Sequence, residues 1–122
     1  MHALIIEDEW FIVDAVEDAL RQIGFSSFAD ANSVAEAVAA ALLMCPDLIV
    51  ANHQLVDGTG TDAVLAICSD QEIPVVFVTA NGSEVRSALP HAIVVSKPFV
   101  SISLHSAVEQ AQECPFVCPC RN

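Results

Sequence analysis

Pro46-Asp47-Leu48-Ile49-Val50-Ala51-Asn52-His53-Gln54 decides the fold of this chain. A proline and an aspartate open it, four apolar residues follow, and polar residues close it. The apolar run has no period-two alternation, so it reads as a strand over Asp47 to Asn52 covered on both faces, as central parallel strands are. Three other segments have the same form. Leu4-Ile5-Ile6 runs into Glu7-Asp8-Glu9, Val75-Val76-Phe77-Val78 into Thr79-Ala80, and Ile93-Val94-Val95-Ser96 into Lys97-Pro98. Each apolar strand ends in polar residues, and the carboxyl edge of an open α/β sheet is where ligands bind.

Helical spacing fills the intervals. Ile12, Val13, Val16, Ala19, Leu20 and Ile23 lie on one face of a helix over 9–23, with Asp14, Glu17, Asp18 and Arg21 opposite and Gly24 placed to end it. Phe25 to Ala29 is a weaker second strand. Ser33 and Glu36 have capping-box spacing ahead of an alanine-rich helix. Asp57-Gly58-Thr59-Gly60 is a turn, after which Thr59 or Thr61 caps a helix through Ile67. Glu84 to Leu89 allows a short helix, Ala92 to Ser96 a fifth strand, and Ser101 or Ser103 caps a last helix. Alternating strands and helices predict an α/β domain with one five-stranded parallel sheet and helices on both faces. The expected organisation is a single domain over 1–113 and a tail over 114–122 containing cysteine and proline.

The chain has 122 residues and a formal charge of −12, with 54% hydrophobic and 16% charged residues. The length fits one domain and the apolar content a packed core. So acidic a surface repels phosphate backbones and anionic lipid, which argues against nucleic-acid binding. No basic leader and no apolar run of about 18 residues is present, so neither a signal peptide nor a membrane span is expected, and the cytoplasm is the expected location. Cys45 and Cys68 stand in apolar contexts and read as small core residues. Cys114, Cys118 and Cys120 crowd the tail without a fourth ligand for a soft metal, so they read as part of an irregular segment.

An acidic pair, a hydroxyl and a lysine delivered to one sheet edge suit a divalent ion and a phosphoryl group. With Glu7-Asp8, position 52, Thr79-Ala80 and Lys97-Pro98 in that order, each at a strand end, residues 2 to about 113 resemble the receiver domain of two-component response regulators, the chemotaxis-regulator type. The resemblance implies the strand order 2-1-3-4-5. It also implies a switch, not an enzyme: a histidine kinase or phosphotransfer protein delivers a phosphoryl group to an aspartate at position 52. Glu7 and Asp8, directly or through water, the residue at 52 and the backbone carbonyl of Gln54 then hold Mg²⁺, Thr79 is the hydroxyl that senses the phosphoryl group, and Lys97 is its counterion. Val94 stands where the family usually has an aromatic residue, so switching by rotation of a ring is not expected.

Position 52 is asparagine. An amide matches a carboxylate in shape but is a poor nucleophile, so no acyl phosphate is expected there, and Ala51 has no hydroxyl to substitute. Two carboxylates about 5 Å apart repel by about 3 kcal/mol at an effective dielectric near 20. Loss of one is therefore expected to stabilise the metal-free domain and weaken Mg²⁺ binding. Three functions follow as expectations: a single-domain receiver whose Asp form accepts a phosphoryl group, a phosphorylation-independent binding module, and, least favoured, a phosphatase of the haloacid-dehalogenase type. A monomer or weak dimer is expected. Asn52 is compatible with a natural loss of the acceptor and with a recent or deliberate change, and the retention of Glu7, Asp8, Thr79 and Lys97 favours the latter.

Overall fold

The four residues of strand β3 (Leu48–Ala51) are all buried, and they have parallel partners on both sides. The computed structural model describes residues 1–69 and 71–113. In chain order its elements are β1 (His2–Ile6), α1 (Trp10–Arg21), β2 (Ser27–Ala31), α2 (Val34–Leu43), β3, β4 (Gln54–Leu55), β5 (Gly58–Thr59), α3 (Gly60–Ile67), β6 (Val75–Thr79), α4 (Gly82–Ala88), β7 (Ile93–Ser96) and α5 (Ser101–Glu113). Five strands form one parallel sheet in the order β2-β1-β3-β6-β7. The expected order 2-1-3-4-5 holds in kind but not in number. The short strands β4 and β5 pair antiparallel with each other outside the sheet, which makes its last two strands the sixth and seventh of the chain. Their pairing needs only Gln54 opposite Thr59 and Leu55 opposite Gly58, too short a pattern to read as strands in the sequence.

Period-two alternation sends each strand's side chains to two cores. Ala3, Ile5, Val50, Val76 and Val78 face α1 and α5, where Val16, Leu20, Leu104 and Val108 close over them. Leu4, Ile6, Ile49 and Phe77 face the other side, against Ala37, Val64, Ile67 and Val85 of α2, α3 and α4. Full burial of each large apolar side chain is worth about 1.5–3 kcal/mol, so burial on both faces fixes the register of β1 and β3 and the positions of their polar ends.

Some local expectations shift. The first helix, expected over 9–23, spans Trp10–Arg21, and Gly24 closes the turn that follows it at φ +103°. The strand after it spans Ser27–Ala31 and not 25–29, because Phe25 is drawn into the core at 2% exposure and Ala31 is the residue that pairs with Ile6. Ser33 caps α2 by accepting from Glu36 N–H, but the Glu36 carboxylate accepts from Asn32 and not from Ser33. Thr59 and Asp62 form the complete capping box, on α3. Neither Ser101 nor Ser103 caps α5: both lie within it, and the Val100 carbonyl accepts from Ser103 and Leu104. Cys45 is exposed beside Gln71 and is not a core residue, while Cys68 is buried as expected. The tail cysteines Cys114, Cys118 and Cys120 lie outside the described residues.

Candidate functional site

Glu7 is the first polar residue after β1, and the sheet holds it down. Its backbone N–H donates to Ala31 at 2.9 Å, which continues the β1–β2 pairing one residue past the strand. The residue is 5% exposed. Its carboxylate Oε1 accepts from the backbone N–H groups of Asp8 and Glu9 at 3.1 and 3.3 Å, and from the side-chain amide of Asn52 at 3.3 Å. Its Oε2 accepts from Lys97 Nζ at 2.8 Å. Burial pushes the Glu7 carboxyl above the usual carboxylate range; the Lys97 ammonium opposes that push and the neighbouring Asp8 adds to it.

Asn52 is placed the same way from β3. Its N–H donates to the Ile6 carbonyl at 2.8 Å, and its side-chain Nδ2 donates to Glu7 and to the Gln54 carbonyl, the latter at 3.1 Å. The chain then turns tightly. Gly60 N–H donates to the His53 carbonyl at 2.6 Å, and a Cβ on Gly60 would run into the Asn52 carbonyl oxygen, so only glycine fits.

Lys97 enters from β7. Its backbone N–H donates to the Thr79 carbonyl at 3.1 Å, one residue beyond the Thr79–Ser96 pair of the sheet. Its ammonium spans Glu7 and Glu9, the second contact at 3.4 Å. The following Lys97–Pro98 peptide is cis. Thr79 is fully buried, and its hydroxyl accepts from Asn81 N–H at 3.0 Å, where the chain enters α4. Ends of four strands separated by up to 90 residues thus meet at one edge, three of them through side-chain hydrogen bonds and Thr79 through its strand pairing with the segment bearing Lys97.

Carboxylate oxygens of Glu7, Asp8 and Glu9 lie within 4.8 Å of one another. With the Gln54 carbonyl beside them they make an all-oxygen donor set of the kind a hard divalent ion takes. Asp8 is exposed, and beyond it opens a cleft of about 290 Å³ lined by Trp10, Asp14, Glu17, Asp30 and Glu36 as well as Glu7 and Asp8. Trp10, 74% exposed, stands at its rim at the start of α1. Burial and the nearby Asp30 carboxylate push Glu17 up, with Arg21 opposing.

The family model of the response regulator receiver domain matches residues 3–109. The chain belongs to that family. It is 35% identical over 112 residues to the phyllosphere-induced regulator PhyR of Methylorubrum extorquens, an alignment that takes in 88% of this chain and 42% of that protein. It is 34% identical over 113 residues to the transcriptional regulatory protein PdtaR of Mycobacterium tuberculosis, covering 88% of this chain and 55% of that one. The chain therefore spans about half the length of these relatives. Among solved structures, the receiver domain of Erythrobacter litoralis PhyR superposes with a TM-score of 0.84 at 30% identity, covering 93% of this chain and 91% of that one. The relatives are regulators by name.

Three residues given no site role on sequence also belong to the surroundings of the site. Glu9 shares Lys97 with Glu7. His53, 8% exposed, pairs through Nε2 with Glu84 of α4 at 3.0 Å. Asp57 accepts from the N–H groups of Val34 and Ala35 at 2.7 and 3.3 Å, so it anchors the first turn of α2, and these bonds hold its carboxyl below the usual range. Glu9 was visible as the third member of an acidic triplet. The contacts of His53 and Asp57 join segments 31 and 22–23 positions apart, and no local pattern announces them. Among the described residues no helix is long and apolar enough to cross a membrane.

Proposed function

We propose that residues 1–113 form a two-component receiver whose site is laid out for phosphoryl transfer to position 52, and that Asn52 keeps this chain from accepting the group. The supporting observation is the single hydrogen-bonded network of Glu7, Asn52 and Lys97, with Thr79 on the adjoining strand. In the Asp form, the carboxylate at 52 is the nucleophile toward a phosphohistidine on a histidine kinase or phosphotransfer protein. Glu7, Asp8, the side chain at 52 and the Gln54 carbonyl would hold Mg²⁺, which would supply positive charge to the phosphoryl oxygens during transfer. The Lys97 ammonium then turns from Glu7 and Glu9 toward a phosphoryl oxygen. The Thr79 hydroxyl, on moving to that group, gives up its bond to Asn81 N–H and so loosens the start of α4.

As it stands, the chain binds Mg²⁺ weakly, is not an enzyme, and acts in the cytoplasm by docking on a kinase or phosphotransfer protein, as a monomer or weak dimer. Its acidic surface suits neither nucleic acid nor membrane. The expected tail over 114–122 lies outside the described residues. A second reading, a phosphorylation-independent binding module, is favoured by one observation: the Glu7 carboxylate already has four donors without any phosphoryl group. The two readings separate on intact mass. With Mg²⁺ and a small phosphodonor, the Asn52→Asp variant is expected to gain one phosphoryl group and the chain as written none. No gain in the variant would support the binding module.

A further inference from the structure

Asn52 differs from a carboxylate side chain in a single terminal atom, and that atom is a donor. It faces two oxygens, Glu7 Oε1 at 3.3 Å and the Gln54 carbonyl at 3.1 Å. An amide turned the other way would set its own oxygen against both, so the acceptors fix which end faces inward. These two oxygens are also ligands the proposed function gives to the ion. We propose that the Asn52 amide nitrogen is a built-in replacement for the divalent cation, bridging the same oxygens and keeping the ends of β1 and β3 in one arrangement without metal. Lys97 completes the substitution by supplying the positive charge, through Glu7 and Glu9. For an ion to reach these oxygens the amide would have to give up both bonds, and it could offer only a single neutral oxygen in return. Asn52 therefore opposes the ion in two ways, through the charge it lacks and through the bridge it makes.

This inference takes from the proposed function only the identity of the ligand oxygens. Failure of the Asn52→Asp variant to take a phosphoryl group would leave it standing. The test separates bridge from charge, because Asn52→Ala has the same charge as the parent but no donor. Trp10, the only tryptophan of the chain, stands at the rim of the cleft and reports Mg²⁺ titrations by fluorescence. If the bridge opposes the ion, Asn52→Ala binds Mg²⁺ more tightly than the parent, by roughly tenfold, although it offers no ligand in place of the amide. Equal or weaker binding by the Ala variant would overturn the proposal. A second measurement needs no variant: in metal-free solution the Asn52 side-chain amide protons of the full chain should exchange roughly tenfold more slowly than those of a free amide. Exchange at the free rate would overturn it equally.

Discussion

Two loops at the same sheet edge handle their carboxylates in opposite ways. After β1, Glu7 is buried next to Asp8, its carboxyl is pushed up, and it depends on Lys97 from the far end of the chain. After β3, Asp57 is exposed, its carboxyl is held down, and its partners are backbone N–H groups at the start of α2. The difference lies in what each carboxylate replaces. Asp57 takes over helix-end donors that would otherwise face water, a favourable arrangement for an anion. Glu7 gives up solvent for a crowded pocket, which is favourable only while a cation or amide compensates. The first loop is built to be changed by its occupants and the second to stay where it is.

Deforming the second loop should have the largest effect. Gly60→Ala forces the chain away from the Asn52 carbonyl and should cost about 3 kcal/mol in urea unfolding, since backbone and not a flexible side chain must move. Lys97→Met tests the first loop. It leaves Glu7 buried without its ammonium, and a loss of about 2 kcal/mol is expected at pH 7. The sign with pH is definite. A carboxyl whose folded pKa lies above its unfolded value binds more protons when folded, so its contribution is full below the unfolded value and is lost as pH rises through the folded one. Removal of Lys97 raises Glu7 further, so the gap between variant and parent should narrow when melts are repeated at pH 5.

Smaller effects sharpen the picture. Glu84→Ala removes the partner of His53 Nε2, and Nδ1 of that ring is already buried without one. A loss of about 1 kcal/mol is expected, with faster amide exchange confined to α4 and the 52–59 loop. Asp57→Ala should have the smallest effect, seen as lost protection in the first turn of α2. Its pH dependence runs opposite to that of Glu7. The depressed Asp57 carboxyl stabilises above its unfolded value and stops doing so as pH falls through the folded one, so parent and variant should converge in acid.

The strands of the sheet were legible because burial on both faces leaves a continuous apolar run, and Leu48–Ala51 and Val75–Val78 are such runs. The site was legible for the same reason: a buried strand makes its polar end conspicuous, which picked out Glu7, Asn52, Thr79 and Lys97. The division of labour inside it was not. Sequence alone could not show that Glu7 is the buried hub and Asp8 the exposed member, because both follow the same strand and only the pleat separates them. The β4–β5 hairpin, the His53–Glu84 pair and the Asp57 anchor depend on how the 53–59 loop packs between α2 and α4, and nothing in its composition fixes that. The two-residue error in β2 has a similar origin, since Phe25 packs into the core from outside the strand.

Glu7 and Lys97, 90 positions apart in sequence, act on one another directly. A double-mutant cycle with Glu7→Gln, Lys97→Met and the pair, followed by urea unfolding at pH 7 in EDTA, measures this. A coupling of about 1–2 kcal/mol is predicted. Losses that add to within about 0.3 kcal/mol would mean that the two strand ends do not share a site.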